Sequence, residues 1–183
     1  VSIYEPHGSY GLVVDRIEEV GRGLLFEQLD ALKRKLSAEG LFLEERKKEL
    51  PYLPGAIGII TSPTSSVIED MTRTIHGRYP ANILLYPVRV QGEGAAEEMI
   101  AGLNYLDRDP DIDVIIIGRG GGAAEDLLPF SDEALVRAVA GCVTPIISAV
   151  GHETDTPLID FASDFRASTP TGAGERVVPA YGE

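Results

Sequence analysis

The 183-residue sequence is short of cysteine and of basic side chains, and it contains no long apolar run. Its single cysteine, Cys142, cannot form an internal disulfide, so we expect a buried, unreactive thiol in a reducing cytoplasm. No apolar stretch approaches the roughly 20 residues that span a bilayer, so we expect no membrane partner. The chain starts at Val1 without a signal-peptide pattern, which predicts an internal piece of a longer cytoplasmic protein.

Basic residues are outnumbered, with 16 Lys and Arg against 29 Asp and Glu and a formal net charge of −13. An acidic surface repels nucleic acid at long range, so any DNA-binding interpretation must explain this charge. Residues 92–133 alone hold eleven acidic side chains, with only Arg108 and Arg119 to oppose them. Solvated helix faces and helix N-termini are the simplest explanation of that acidic stretch.

Apolar runs and helical patterns alternate from residue 55 onward. Continuous apolar runs are typical of strands buried on both faces, and helices between them favour parallel strands. We therefore predict an α/β fold of the Rossmann-like kind, with a mostly parallel sheet and helices on both faces. In such a sheet, ligands bind beyond the carboxyl ends of the strands. The predicted strands are Ala56–Ile60, Ile83–Val90, Asp113–Ile117 and Pro145–Val150, and the predicted helices are Ser65–Gly77, Ala95–Leu106 and Ser131–Ala140, the last with Ser131 as N-cap.

Two segments precede this α/β domain, which we assign to residues 55–183. Residues 1–20 predict two short strands, and since a lone hairpin is marginal in water, we expect them to belong to another sheet. Residues 21–54 predict a helical linker with apolar residues at helical spacing, followed by a short polar helical piece at Glu44–Leu50. The spaced apolar residues are Leu25, Leu29, Leu32 and Leu36.

A glycine-rich stretch with one arginine, Gly118-Arg119-Gly120-Gly121-Gly122, follows the third predicted strand. Glycine lets the backbone approach a charged group closely, and a planar guanidinium matches phosphate oxygens. The spacing also fits the loose dinucleotide fingerprint, although the acidic residue that ends the next strand in that motif is missing. A glycine-rich turn with a solvated arginine is the structural alternative. The following acidic pair, Glu125-Asp126, could serve the same site, but acids at a helix N-terminus are the simpler explanation.

A histidine and two carboxylates follow the fourth predicted strand, in the stretch Ser148–Asp155. A zinc-protease motif needs a second histidine four residues after His152, where this chain has Thr156, so that interpretation fails. Asp155 or Thr156 can cap a helix with Pro157 in its first turn, but a cap leaves His152 unexplained. A histidine just past a strand end is well placed for proton transfer.

Several separated motifs, in the right order, make the chain similar to the exodeoxyribonuclease VII large-subunit family. The resemblance covers nearly the whole chain, and a series of ordered motifs is far more specific than any glycine loop alone. The residues that carry it are Gly118–Gly122, Glu125–Leu127, Phe130, Ser148–Asp155, Asp160–Phe161, Asp164, Thr169–Pro170 and Glu175, with Tyr4–Pro6, Gly40–Phe42, Ile60–Ser62, Thr64 and Asp70 upstream.

The resemblance implies a nuclease that degrades single-stranded DNA from its ends, hydrolysing phosphodiester bonds to release 5′-phosphate products. In this family an N-terminal OB-fold binds single strands, a central domain is catalytic, and a C-terminal helical region recruits small subunits. Residues 1–20 would then be the last part of the OB-fold. The partners would be single-stranded DNA and small subunits, the latter bound through the absent helical region, and DNA-binding surface on other parts would ease the charge problem.

The family's essential residues correspond here to Asp70, Arg119, His152 and Asp155. The resemblance implies that Arg119 and the loop amides hold the scissile phosphate, that His152 transfers a proton, and that Asp155 orients the imidazole or shares a metal with Asp70. No cofactor would be strictly required, and the carboxylates leave a role for Mg²⁺ open. The phosphate- or DNA-binding candidates are Gly118, Gly120, Gly121, Gly122, Thr61 and Ser62.

Three departures from the family pattern affect substrate grip rather than chemistry. Ala123 stands where serine is usual, Leu128 stands where tryptophan is frequent, and Ser168 with Thr171–Gly174 replaces a pattern richer in alanine and proline.

Two other functions stay open. One is an enzyme that binds a nucleotide cofactor at Gly118–Ala123, and the other is a non-catalytic scaffold that binds single-stranded DNA.

Overall fold

The computed structural model describes residues 20–122, 124–151 and 156–179. Strands and helices alternate from residue 56 onward, as the apolar pattern predicts. The strands are β1 Ala56–Thr61, β2 Asn82–Pro87, β3 Val114–Gly118, β4 Ile146–Ala149 and β5 Phe165–Arg166. The α-helices are α1 Val20–Ala38, α2 Ser66–Arg78, α3 Ala95–Leu106, α4 Glu133–Gly141, α5 Ile159–Ala162 and α6 Pro170–Val177, with 3₁₀ segments at Glu44–Arg46 and Ala124–Ser131.

The five strands form one sheet in the order β2-β1-β3-β4-β5, and every neighbouring pair is parallel. The predicted α/β class with a parallel sheet is therefore confirmed. The chain moves from β1 through α2 to β2 on one side, and α3 then returns it to β3 on the other side of β1. This reversal creates a topological switch point at the carboxyl ends of β1 and β3, where sheets of this kind bind ligands.

Helices cover both faces of the sheet, as predicted. On one face α2 and α6 pack against side chains such as Ile59 and Ile116, and on the other α3, α4 and α5 pack against Ile60 and Ile117. In β1, β3 and β4 nearly every residue is buried because helices shield both faces of the sheet from water, which explains the continuous apolar runs of these strands. The edge strands β2 and β5 are partly exposed. The core therefore consists of two apolar layers separated by the sheet.

The segment before β1 is attached to this core. The leucine stripe of α1 ends at Leu36, which is fully buried beside α4. Two ion pairs join the same surfaces, from Lys35 Nζ to Glu133 Oε1 at 2.8 Å and from Arg137 Nη1 to Glu39 Oε2 at 2.6 Å. The division of the chain at residues 20 and 54 stays a prediction, and residues 1–19 lie outside the described part.

Three local predictions were wrong. Only Glu44–Arg46 of the polar segment before Pro51 is helical, as a single 3₁₀ turn. Asp132, not Ser131, caps α4, because the 3₁₀ segment with buried Phe130 carries Ser131 inward, where its Oγ accepts from the Leu158 amide at 3.0 Å. Helix α5 begins after Leu158 and no side chain caps it, so Pro157 precedes the helix and Thr156 is not its cap.

Candidate active site at the carboxyl edge of the sheet

The glycine loop continues directly from β3. Gly118 pairs with Ala149 of β4, and the amide of Arg119 donates to the Ala149 carbonyl at 3.2 Å, so the ladder extends one residue beyond the strand. Because β1 and β3 are paired at Ile60 and Ile117, Thr61 ends β1 at the same level of the sheet. Thr61, Gly118 and Arg119 therefore lie together at the switch point.

Two of the loop glycines, Gly118 and Gly120, allow close packing and do not adopt unusual backbone angles. Among described residues, left-handed φ values occur only at Gly40, Gly92 and Gly94, so the loop does not form the αR-αL nest that favours anions. A Cβ on Gly118 would lie 2.5 Å from Met71 Cε, and one on Gly120 would lie 3.3 Å from Val67 Cγ2. Both glycines let α2 approach the end of β3.

Gly122 makes room for the side chain of Arg119. A Cβ on Gly122 would overlap Nη2 of Arg119 and would stand 3.1 Å from Cζ and 2.7 Å from Asp126 Oδ2. A Cβ on Gly121 would meet no atom of the described residues within 4 Å. Two adjacent glycines therefore differ completely in what surrounds them.

The guanidinium of Arg119 is buried, with 3% of its side chain exposed. Nη2 donates to Asp126 Oδ2 at 3.2 Å. Nη1 is buried and, across the described ranges, has no hydrogen-bond partner. A buried, unsatisfied donor costs about 1–3 kcal/mol, and more on a charged group, so it requires an explanation. An anion bound at Nη1 would remove that cost.

Thr61 is the second orphaned polar group at this edge. Its side chain is fully buried, and Oγ1 lacks a hydrogen-bond partner among the residues described. Strand alternation places Thr61 on the α2 face, whereas Arg119 contacts the 3₁₀ segment on the opposite face. The hydroxyl of Ser62 is already used locally, since it lies 3.1 Å from Thr64 Oγ1. The crevice expected at the switch point would thus have one wall with Thr61 and another with Arg119.

Asp70 lies on the helix that borders this crevice. It is half-buried in α2, next to Met71 and one turn after Val67, the two residues that touch the glycine loop. Within the described ranges, no hydrogen bond or ion pair to the Asp70 carboxylate is found, and its carbonyl accepts from Thr74 Oγ1 at 2.8 Å. Asp70 therefore lies on α2 beside the residues that contact the glycine loop, and its part in the site stays a prediction.

His152 and Asp155 lie outside the described residues, so their predicted roles stay predictions. The described chain before them ends with Val150 and Gly151, both buried, directly after the β4 residue that pairs with Gly118. It resumes at the exposed Thr156. The last described residues before the histidine, Val150 and Gly151, thus follow the β4 residue that accepts from the Arg119 amide.

Comparison with known proteins assigns the family. The sequence profile of "Exonuclease VII, large subunit" matches residues 41–183. The chain belongs to the exonuclease VII large-subunit family. It is 52% identical over 189 residues to a Rhodospirillum centenum protein named exodeoxyribonuclease 7 large subunit, covering 100% of this chain and 36% of the relative. Proteins of the same name from Thermobifida fusca (51% over 181 residues, 98% and 45% covered) and Acidothermus cellulolyticus (52% over 181 residues, 98% and 44% covered) are similarly close.

The chain spans less than half the length of these exonuclease VII relatives. The described part has no helix long and apolar enough to cross a membrane. Nor do the described ranges contain a group of three or more His, Cys, Asp or Glu side chains that could hold a metal ion. This search does not test the predicted metal-binding pair of Asp70 and Asp155, because Asp155 lies outside the described ranges.

Two arginine–carboxylate pairs of this exonuclease VII family member were not predicted from its sequence. Asp126 does stand in the first turn of the 3₁₀ segment, as predicted, but it also binds Arg119. The second pair joins Arg166 Nε to Asp160 Oδ2 at 2.7 Å, and Ser148 Oγ donates to Asp160 Oδ1 at 2.5 Å. Burial raises the pKa of the Asp160 carboxyl, and the bonds from Ser148 and Arg166 oppose that rise.

Proposed function

We propose that this chain is the catalytic part of an exodeoxyribonuclease that hydrolyses single-stranded DNA from its ends to 5′-phosphate products. The observation that carries the proposal is the buried Arg119 whose Nη1 has no hydrogen-bond partner among described residues, placed at the switch point of the sheet. The site favours a phosphate there because a guanidinium binds its oxygens through two parallel bonds. The names of the relatives support the same activity.

In the proposed reaction, residues of the two crevice walls and of the segment after β4 would share the catalytic roles. Water attacks phosphorus, the bond from phosphorus to the 3′ oxygen breaks, and the phosphate remains on the 5′ oxygen. Arg119 would stabilise the charge that builds up on the phosphoryl oxygens. His152 would take the proton from water or give one to the leaving oxygen, and Asp155 would orient its imidazole.

Thr61, Ser62, Asp70 and the loop amides have supporting roles in this proposal. The Thr61 hydroxyl would donate to a phosphate oxygen, which would satisfy its buried Oγ1. Ser62 would contribute through its backbone, because its hydroxyl is engaged with Thr64. Asp70 would act from the α2 wall, either on the attacking water or with Asp155 as a ligand of Mg²⁺, which would supply Lewis-acid stabilisation of the phosphate.

The cofactor-binding alternative is less well supported by the loop. In a dinucleotide site, the glycines leave space for a pyrophosphate. Here the space beside Gly118 and Gly120 is filled by α2, and the space beside Gly122 is filled by the Arg119 guanidinium. The name "large subunit" in the relatives supports assembly with small subunits, and we keep that partner, and a cytoplasmic location, as part of the proposal.

The test is degradation of end-labelled single-stranded DNA by full-length protein assembled with its small subunit, with and without EDTA. Arg119→Ala, His152→Ala and Asp155→Ala are compared with Arg108→Ala, which removes an exposed arginine from the acidic stretch. We expect loss of degradation in the first three and wild-type rates in the control. No product from the wild type would refute the function. Full activity of His152→Ala would refute the mechanism, and persistence in EDTA would exclude the Mg²⁺ role.

The same samples discriminate the two other functions. A cofactor enzyme would be protected against thermal unfolding by NAD or a mononucleotide, and its protection would not depend on His152. A scaffold would bind labelled single strands equally well in wild type and His152→Ala, with product formed by neither. Measuring protection and binding beside degradation therefore separates all three.

A further inference from the structure

The direction in which Arg119 points is set by two neighbours to which the proposed mechanism gives no role in orienting it. We propose that Asp126 is a positioning residue that holds the Arg119 guanidinium with Nη1 facing the scissile phosphate, and that Gly122 provides the space this orientation needs. The proposal rests on the proposed function, since it assigns an orientation to the phosphate-binding arginine.

Both ends of the Arg119–Asp126 pair are fixed to the core. The Arg119 amide is bonded to the Ala149 carbonyl, so the arginine backbone is part of the β3–β4 ladder. Asp126 stands in a 3₁₀ segment whose Phe130 is fully buried and whose Leu127 packs on the same apolar cluster. Neither backbone can shift without disturbing the core, so the 3.2 Å bond between the side chains fixes the guanidinium.

The bond to Asp126 orients the Arg119 guanidinium but does not use all of its hydrogen-bond donors. Asp126 contacts Nη2, while Nη1 lacks a partner among the described residues. A free arginine side chain loses rotamer entropy when it is fixed, and holding it in place beforehand transfers that cost from substrate binding to folding. The Asp126 side chain is 31% exposed, so water screens its charge and the guanidinium remains attractive to a phosphate.

Gly122 leaves open the space that the guanidinium occupies when it is bonded to Asp126. Its Cα stands over the guanidinium, and any Cβ there would overlap Nη2 and press on Asp126 Oδ2. An alanine at this position would have to push the guanidinium away from the orientation that Asp126 sets. Gly121 has no such contact, although it occupies the same loop and its φ is not left-handed.

The first test compares Asp126→Asn, Asp126→Glu and Glu125→Gln in full-length protein assembled with its small subunit. Misplacing a catalytic group can cost about 100-fold, so we expect Asp126→Asn to lower kcat by about 10- to 100-fold with KM within about twofold. Asp126→Glu should recover part of this loss, because it restores the charge. Glu125→Gln, the adjacent exposed acid, should retain the wild-type kcat.

A double-mutant cycle separates positioning from a general effect on folding. If Asp126 acts through Arg119, Asp126→Asn should cause no further loss of single-turnover rate in an Arg119→Ala background. Equal fold-losses in both backgrounds would overturn the proposal. So would an Asp126→Asn variant as active as Glu125→Gln. An inactive wild type would instead refute the proposed function, so the two failures are distinguishable.

The second test uses the glycine pair. Gly122→Ala and Gly121→Ala add the same methyl group to adjacent residues and keep both amides. We expect Gly122→Ala to lose at least about tenfold more kcat than Gly121→Ala, by displacement of the guanidinium. The melting temperature of each variant shows whether folding is affected. Equal loss of kcat in both variants would overturn the role of Gly122.

Discussion

The two arginine–carboxylate pairs at the carboxyl edge of the sheet are arranged in opposite ways. In the first, the Arg119 side chain is 3% exposed and its partner Asp126 is 31% exposed. In the second, the Arg166 side chain is 33% exposed and its partner Asp160 is 1% exposed. One pair buries the cation and the other buries the anion.

Their hydrogen bonding differs as much as their burial. Both carboxylate oxygens of Asp160 are bonded, one to Ser148 and one to Arg166, and the Asp160 carbonyl accepts from Ser163 Oγ at 3.2 Å. Arg119 keeps a buried nitrogen without a partner in the described part of the chain. A satisfied buried network joins elements of the fold, here β4, β5 and α5, whereas an unsatisfied one at a switch point is typical of a binding site.

The largest expected effect is a loss of DNA degradation when Arg119 is removed from the Arg119–Asp126 pair. Arg119→Ala in the assembled full-length protein should lower kcat/KM by about 100- to 1,000-fold, the range seen when a donor to a transition-state oxyanion is removed. Stability should change by less than about 1 kcal/mol, because Asp126 left behind is partly solvated. Rates on labelled single strands and melting curves provide both values. A large loss of stability with unchanged kcat/KM would show that this pair, too, is structural.

The second-largest expected effect is a loss of stability when the Arg166–Asp160 pair is removed. Asp160→Ala removes the acceptor of Ser148 and Arg166 and should destabilise this domain by about 1.5–3 kcal/mol. Asp160→Asn should be milder, because it preserves one acceptor and carries no charge into the core. Urea unfolding of the full-length variants, followed by a probe in this domain, gives the difference. The pairing would be dispensable if Asp160→Ala unfolded at the same urea concentration as the wild type.

The difference in stability between the wild type and Asp160→Asn should depend on pH. Burial raises the folded-state pKa of Asp160, so the native state binds this proton more tightly than the unfolded chain does. The associated stability is present below the unfolded pKa and is lost as pH rises through the folded one. The advantage of the wild type over Asp160→Asn should therefore grow as the pH falls from neutral toward the unfolded-state pKa of an aspartate, about 4. A gap that shrinks over this interval contradicts the raised pKa.

The smallest expected effects come from two hydroxyls, one at each kind of site. Thr61→Val removes the unsatisfied Oγ1 with little change of shape, so it should leave stability unchanged or raise it by about 1 kcal/mol while weakening DNA degradation. Ser148→Ala removes a satisfied donor and should lower stability by about 1 kcal/mol. Parallel melting curves test the contrast. Destabilisation by Thr61→Val comparable with Ser148→Ala would show that the threonine hydroxyl has a structural partner.

The fold was predictable from the sequence wherever one period dominated a long stretch. The runs Ala56–Thr61 and Val114–Gly118 are buried on both faces, so their apolar pattern has no competing explanation. The strand Phe165–Arg166 is too short to show a period. Helix α6 contains two glycines and depends on the Thr169 cap, whose Oγ1 accepts from the Gly172 amide at 3.0 Å, so its sequence resembled a loop.

The candidate site was predictable only in part, because contacts between distant residues are set by packing. The strand-end position of Arg119 follows from the apolar run before it. Its partner Asp126 does not, since an acid in a first helical turn is explained equally well by the helix dipole. The chemical state of Cys142, by contrast, was predictable from the sequence. The thiol is half-buried, and desolvation, followed by the nearby Asp107 carboxylate, raises its pKa to about 12, which agrees with the unreactive thiol expected from the sequence.

The central claim is that Arg119 contacts one particular phosphate of a single strand. It is tested most directly with oligonucleotides that carry one neutral methylphosphonate at successive linkages from the end, bound to assembled full-length wild type and Arg119→Ala. A charge-assisted hydrogen bond contributes about 1.5–3 kcal/mol, so neutralising one linkage should weaken wild-type binding by about tenfold or more. The same linkage should have no effect in Arg119→Ala. An equal penalty in both proteins at every linkage would contradict the account.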